Sequence, residues 1–274
     1  MITDEKAKEL IREGRAFMHM PHEDPEYKSD QYSGIQSPEL FKKPVSDIII
    51  DLPTDFSEVP INKDFLNIVN NRSSFRVYSG EEITLEELSL ILWCSQGVKA
   101  MRGKNYATLR VVPCGGSRHE FELYLAVQYV KGLQRGYYHY LPKNHQLEFL
   151  KAEDDIKPFI GKSVAGQNWA RKASVVFYFD MVAYRAEWRY GIYTHRVALI
   201  DAGYPSENIY LTATALGLGS CALGAIDEDT CNAAFGLNGD DEFIFLAHPV
   251  GTIREKDRQK ELDFYSFIHD YDHD

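Results

Sequence analysis

Apolar residues return at helical spacing from Asp64, until Asn70-Asn71-Arg72-Ser73-Ser74 breaks the pattern, predicting a short helix that ends at the asparagines. A second helix begins at Thr84. Its hydroxyl can accept from the amide of Glu87 while the Glu87 side chain reaches back, a Thr-x-x-Glu capping box. Leu85, Leu88, Ile91 and Leu92 form the buried stripe of that helix, and Gly97 can end it. Over 121–127 the residues Phe121, Leu123, Leu125 and Val127 alternate with Glu122, Tyr124 and Ala126, the mark of a half-buried strand. Strand-like runs at 136–141 and 146–150 follow at hairpin spacing. Further inner strands are predicted at 174–179 and 242–247, with a long helix over about 195–216 between them. Pro205 falls inside that helix, removes a hydrogen bond and clashes with the carbonyl of Asp201, which predicts a kink or a break. No internal repeat is visible, and the mixed order of elements points to an α+β fold with a mostly antiparallel sheet.

The first 60 residues behave differently. A short charged helix at about 3–18 precedes Pro21, Pro25, Pro38, Pro44, Pro53 and Pro60, too many prolines for mostly regular structure. Ile35, Leu40, Phe41 and the Ile48-Ile49-Ile50 triplet nevertheless need cover from water. Residues 1–60 are therefore expected to form a proline-rich arm lying on a single domain at 61–274.

Composition narrows the function classes. With 30 Lys and Arg against 41 Asp and Glu, the 274-residue chain carries a net charge of −11, which argues against sequence-independent binding to nucleic acid or anionic lipid. A hydrophobic content of 44%, with 17 Tyr and 15 Phe, excludes the compositions of disordered chains. Charges at Asp4, Glu5 and Lys6 stand where an export signal has its apolar core, so a cytoplasmic location is expected. The uncharged run at 208–226 contains Gly, Thr, Asn and Ser and reads as a buried helix ending in a turn, not a membrane span. Cys94, Cys114, Cys221 and Cys231 form no CxxC pair, so reduced thiols are expected.

Several segments could carry chemistry. Arg72-Ser73-Ser74-Phe75-Arg76 is either a solvated loop or a set of guanidinium and hydroxyl donors for one anion. Pro113-Cys114-Gly115-Gly116-Ser117 is either a plain turn into a strand or a glycine floor for a flat ring or phosphate. No neighbouring His and acid mark Cys114 as a nucleophile. The glycines from Gly217 to Gly224 follow a helix, whereas a dinucleotide fingerprint follows a strand, so they read as a helix cap and a short strand. In Trp188-Arg189-Tyr190-Gly191 the Tyr beside a cation could move a proton, or the segment could be an amphipathic surface. Scattered histidines and the His19/His22 pair lack a ligand set, so no metal is expected.

Taken in order, these stretches resemble the nitroreductase superfamily, and within it the SagB-type, azoline dehydrogenase-like branch. The likeness runs over about 64–254: Arg72 to Tyr78, Leu92-Trp93-Cys94-Ser95-Gln96-Gly97-Val98, Val112 to Ser117 leading to Glu122-Leu123-Tyr124, Gly136-Tyr137-Tyr138-His139-Tyr140, Asp201-Ala202-Gly203, Leu216 to Cys221, and Pro249-Val250-Gly251. Order and spacing carry it; no single motif does.

The resemblance implies an α+β, nitroreductase-like fold in an intertwined homodimer, with FMN bound at the interface by both chains. It implies that Arg72, Ser73, Ser74 and Arg76 hold the phosphate, ribitol and pyrimidine edge. Pro113, Cys114, Gly115 and Gly116 would line the ring, from the same or the other subunit. Leu223, Gly224 and Ala225 would offer a backbone amide to flavin N5, and Arg254 would be a further phosphate ligand. Five positions depart from the family pattern. Cys114 stands where Ser is usual and Glu120 where Pro is usual. Arg189-Tyr190 stands where azoline dehydrogenases have Lys-Tyr, and Pro205 and Glu207 interrupt a smooth helix. Arg stays protonated and cannot act as a base, which sets Arg189 and Tyr190 apart as candidate catalytic residues of different chemistry. The expected function is an FMN-dependent oxidoreductase in which NAD(P)H reduces the flavin and a small planar acceptor is reduced in turn. The alternatives are a SagB-type peptide azoline dehydrogenase and a catalytically quiet flavin-fold scaffold.

Overall fold

The computed structural model describes residues 4–19, 26–104 and 106–269; His22 and its pairing with His19 lie outside these. In chain order the elements are α1 (Glu5–Phe17), β1 (Ile49–Asp51), α2 (Phe65–Asn71), α3 (Leu85–Gln96), β2 (Val98–Arg102), β3 (Ala107–Arg110), β4 (Phe121–Val127), β5 (Gly136–Leu141) and β6 (Gln146–Ala152). There follow α4 (Lys157–Ser163), β7 (Val175–Val182), α5 (Ala183–Tyr190), α6 (Thr194–Ala215), β8 (Gly219–Ser220), α7 (Glu228–Phe235), β9 (Glu242–Gly251) and α8 (Glu255–His269). Seven strands form one sheet in the order β1-β6-β5-β4-β7-β9-β8, and every pairing in it is antiparallel. A separate hairpin, β2-β3, stands beside it. The fold is thus α+β with an antiparallel sheet, as the pattern predicts.

The capping box at Thr84 forms in both directions, with the Glu87 amide donating to Thr84 Oγ1 at 3.1 Å and the Thr84 amide donating to Glu87 at 2.7 Å. Each such cap stabilises a helix start by about 1 kcal/mol. Leu88, Ile91 and Leu92 are then fully buried.

Two corrections concern the core. The expectation of a half-buried β4 fails, because all seven of its residues are buried. One face of β4, with Leu123 and Leu125, packs into a core shared with α3 and α6; the other, with Tyr124 and Ala126, packs into a second core with α4 and α7. An inner strand covered on both faces loses the polar side that alternation implies. The break expected at Pro205 is also absent, since α6 runs through Pro205 without interruption for 22 residues. Ala198, Ala202, Ile209 and Ala213 on that helix are buried in the first core, and this packing outweighs the roughly 3 kcal/mol that an interior proline costs.

Residues 26–60 run over the body and supply β1, which pairs with β6 at Ile49↔Glu148. A polar network fastens this segment. Glu122 on β4 meets Arg185 at 2.6 Å and His139 at 3.4 Å, and His139 reaches Glu148 at 3.1 Å. The amides of Val45 and Ser46 donate to Glu148, and Lys42 pairs with Asp180 at 3.3 Å and Glu242 at 2.7 Å. All four acids and His139 lie on strands, so sheet register fixes the partners that the proline-rich segment must meet.

Candidate functional site

The residues singled out from sequence gather in two clusters on either side of α6. The first surrounds the loop after α2. Arg72 caps that helix, and its guanidinium lies 5.2 Å from the ring centre of Tyr210 on α6. Ser74 Oγ is 3.1 Å from the Tyr210 hydroxyl, which also accepts from the amide of Ala222 at 2.7 Å. Phe75 N donates to Ser220 O at 2.8 Å, so the Arg72-to-Arg76 loop is tied to the segment leading into Leu223. Leu223 exchanges backbone hydrogen bonds with Ala247 of β9. Just beyond, Gly224 and Ala225 are exposed, and nothing stands within 4 Å of where a Gly224 Cβ would be. Ser73 is exposed. Two cations of this cluster already have acidic partners from α8: Arg76 donates to Glu261 at 3.2 Å, and Arg254 meets Asp257 at 3.2 Å as well as Glu81 at 3.3 Å. Arg72 forms no ion pair among the described residues, so its charge faces the loop unneutralised.

The second cluster is the glycine turn before β4. Gly116 adopts φ +54, the left-handed region that favours glycine, and a Cβ there would collide with Arg189 Nε and stand 2.9 Å from the Tyr190 hydroxyl. A Cβ on Gly115 would meet Asp201 and Val197 of α6 at 3.0 Å. Arg189 and Tyr190 therefore lie directly on the glycine floor. Arg189 in turn donates to Gln31 at 3.1 Å and to the Tyr106 hydroxyl at 3.3 Å. Arg118 is sandwiched between Tyr106 and Trp188 and donates to Gly116 O at 3.1 Å. Pro113 and Cys114 border a cavity of about 490 Å³ that reaches the β2-β3 hairpin.

Cys114 borders that cavity, but its sulfur is held by acids and not activated as a nucleophile would be. Its sulfur is 3.1 Å from Glu120 and 3.4 Å from Asp201, and it accepts from the His119 amide at 3.0 Å. Burial first, then the charges of Glu120 and Asp201, push its pKa far above the ordinary thiol range, so it stays a neutral thiol. Asp201 accepts from Gly115 N at 2.8 Å and fixes the turn to α6.

The structure gathers Arg72 with Ser74, and brings Gly116 to Arg189 and Tyr190, which the sequence offers only as separate candidates. Sequence reasoning misses Tyr210, which binds the first cluster together, and the arm residue Gln31. Tyr210 is nine positions from Asp201 on α6, or two and a half turns at 3.6 residues per turn. Asp201 and Tyr210 thus project from opposite sides of the helix, separated by about 14 Å along it at 1.5 Å per residue. In the linear sequence nothing distinguishes Tyr210 from other aromatic residues on a helix.

The model of the nitroreductase family matches residues 69–252. A protein of Methanocaldococcus jannaschii bearing the nitroreductase name is 28% identical over 202 residues, 74% of this chain and 95% of its own length. The trifolitoxin-processing protein TfxB of Rhizobium leguminosarum bv. trifolii is 27% identical over 165 residues, 57% of this chain and 44% of its own. Among solved structures, a Ralstonia eutropha protein given the nitroreductase name has a TM-score of 0.62 at 23% identity, over 80% of this chain and 97% of its own. An Anabaena variabilis protein given the same name has a TM-score of 0.60 at 24% identity, over 76% of this chain and 42% of its own. The chain therefore spans less than half the length of TfxB and of the Anabaena protein.

Proposed function

The chain belongs to the nitroreductase family and is an FMN-dependent oxidoreductase; on that premise we propose that NAD(P)H reduces the FMN and that a small planar acceptor takes the electrons in the same pocket, within a homodimer whose sites each draw on both chains. One observation supports the dimer: the anion-binding cluster meets α6 at Tyr210 and the glycine floor meets it at Asp201, residues that project from opposite sides of the helix. A second copy can join the cluster of one chain to the floor of the other. Phe65, Leu66 and Val69 of α2 and Leu199, Ile200 and Tyr204 of α6 are exposed apolar residues that such an interface would cover.

The residues suit the cofactor. Arg72 and Ser74 offer a charged and a neutral donor to a phosphate, while Arg76 and Arg254 join them by exchanging or sharing the carboxylates that hold them. Gly224, exposed and without a neighbour over its Cα, leaves its backbone open to a ring edge, as N5 recognition by Leu223, Gly224 and Ala225 requires. Pro113, Cys114, Gly115 and Gly116 form the floor for the ring. FMN supplies the hydride and electron chemistry. This chain's part is to hold the phosphate, orient the ring, and present Arg189 and Tyr190 to whatever lies above it. Arg189 can donate hydrogen bonds and offset negative charge, and the Tyr190 hydroxyl can pass or receive a proton. Residues 1–60 serve as an arm, with Gln31 holding Arg189 in place over the floor.

The likeness to a trifolitoxin-processing protein keeps the SagB-type peptide azoline dehydrogenase as the alternative reading. Arg189 opposes it, since a guanidinium does not take up the proton that a lysine amine can; azoline oxidation by an Arg189→Lys variant but not by the wild type would show why that reading fails.

The test is the visible spectrum of the purified protein, followed by FMN titration and anaerobic mixing with NADH and with NADPH. Flavin absorbance, bound in proportion to chains and bleached by either nicotinamide, is the expected result. Protein that neither carries nor takes up FMN would overturn the proposal.

A further inference from the structure

We propose that Glu120 and Asp201 hold a single proton between them beneath the Gly115-Gly116 floor and act as a charge switch under the site. Their existence as a proton-sharing pair stands on this chain's own geometry; their effect on flavin rests on the function proposed above.

Glu120 is 1% exposed and Asp201 6% exposed, and their carboxylate oxygens lie within 4.8 Å of one another and of Cys114 Sγ. Two carboxylates this close in a dry site disfavour each other's ionisation, so the second proton is held to higher pH than either acid would hold it alone. The cations of neighbouring elements make their hydrogen bonds to other groups, although Arg110 Nη2 is buried without a partner among the described residues. Arg110 of β3 donates to Gln96 at 2.9 Å, and Arg118 donates to Gly116 O at 3.1 Å and Tyr106 O at 2.9 Å. Arg189 of α5 donates to Gln31 and the Tyr106 hydroxyl, beside Tyr190. His119 is neutral, since burial takes its pKa down to about 3, and Cys114 is a neutral thiol.

Hydrogen bonding decides which acid keeps the proton. Asp201 accepts from the Gly115 amide at 2.8 Å, an interaction suited to an anion. Glu120 leaves its Oε1 buried with no partner among the described residues. An orphaned oxygen is tolerable on a neutral acid and costly on a carboxylate. Burial, and after it the charge of Asp201, raise Glu120 to about 7. Asp201 is also raised, mainly by burial, but the Gly115 amide counteracts this. While the shared proton is held the pair carries one negative charge, and once it is lost, two. Glu120 is therefore a positioning residue: it sets the charge that Asp201 presents to the turn, without touching the ligand.

Isotope-edited infrared spectroscopy of the purified protein, from pH 5 to 9, reads the proton directly and needs no flavin. The expected result is a neutral carboxylic-acid carbonyl band that disappears around pH 7 and is absent in Glu120→Gln. No such band, or a divalent ion released one per chain on denaturation, overturns the proposal. With FMN, the ratio of reduced to oxidised affinity, corrected for free-flavin protonation, should fall about tenfold from pH 6 to pH 8, or about 30 mV in a two-electron midpoint. Glu120→Gln, whose amide replaces the shared proton, should lose that pH dependence while still binding FMN. If wild type and variant titrate alike, the charge switch is refuted. If neither binds FMN, the proposed function fails and the infrared result alone decides the pair. Should Glu120→Gln not fold, the wild-type infrared titration still shows whether the shared proton exists.

Discussion

The two halves of the site are built on opposite principles. The Arg72-to-Arg76 loop and the Leu223-to-Ala225 segment are open, cationic and stabilised by few groups; Ser73, Gly224 and Ala225 are exposed. The glycine floor is half-buried with acids beneath it, and its supports are buried: Arg118 at 2% exposed, Glu120 at 1% and Glu122 at 2%. On the proposed reading an anion arrives from solvent, and Arg72 keeps a charge without an ion pair among the described residues there. A flat ring needs a fixed plane, so its half commits buried hydrogen bonds to rigidity. Changes in the first half should therefore alter binding with little effect on the fold, and changes in the second should alter the fold.

The largest break in this contrast is expected from Arg185→Ala. Arg185 joins Glu122 at 2.6 Å, Glu39 O at 3.1 Å and His119 O at 3.3 Å. Removing one partner of a buried pair costs about 3–5 kcal/mol, read as a lower urea midpoint. Next is Arg72→Ala, which should weaken FMN binding by about 1.5–3 kcal/mol, the range for hydrogen bonds to charged groups. Its urea midpoint should stay near that of the wild type; unchanged FMN affinity would remove Arg72 from the site. Gly116→Val, forced into positive φ against Arg189, should cost about 1–3 kcal/mol of stability and also impair the floor.

The smallest effect is a pH dependence. Glu122 and Glu148 raise the pKa of His139 against the opposing effect of its burial. A raised histidine pKa adds stability that is fully present below the unfolded value near 6.5 and is lost as pH rises through the folded value. The stability gap between wild type and His139→Gln should thus narrow as pH increases above about 6.5. Equal gaps at pH 6 and pH 9 would show that His139 is not held protonated by its neighbours.

The sequence was legible where local rules dominate. Thr84 and Glu87 announce a helix start through their own side chains, and the β5 and β6 strands follow hairpin spacing. Periodicity could not reveal that β4 has helices on both faces, because Tyr124 and Ala126 are acceptable on a solvated face as well. Pro205 misled for the same reason: packing of α6 against α3 outweighs a local penalty. Within the site, the Arg72 loop and the glycine floor could be identified as candidates from residue type alone. Tyr210 and the pairing of Glu120 with Asp201 could not, since each depends on contacts between segments far apart in sequence.

The central claim is that each FMN site takes its anion-binding cluster from one chain and its glycine floor from the other. Mixing Arg72→Ala and Gly116→Val chains, carrying different tags, and titrating the purified heterodimer with FMN tests it most directly. If the halves come from different chains, one site receives both defects and the other none, so the heterodimer should show one site of wild-type affinity. If every site in the heterodimer is weakened and no wild-type site appears, each chain builds its own site and the claim is wrong.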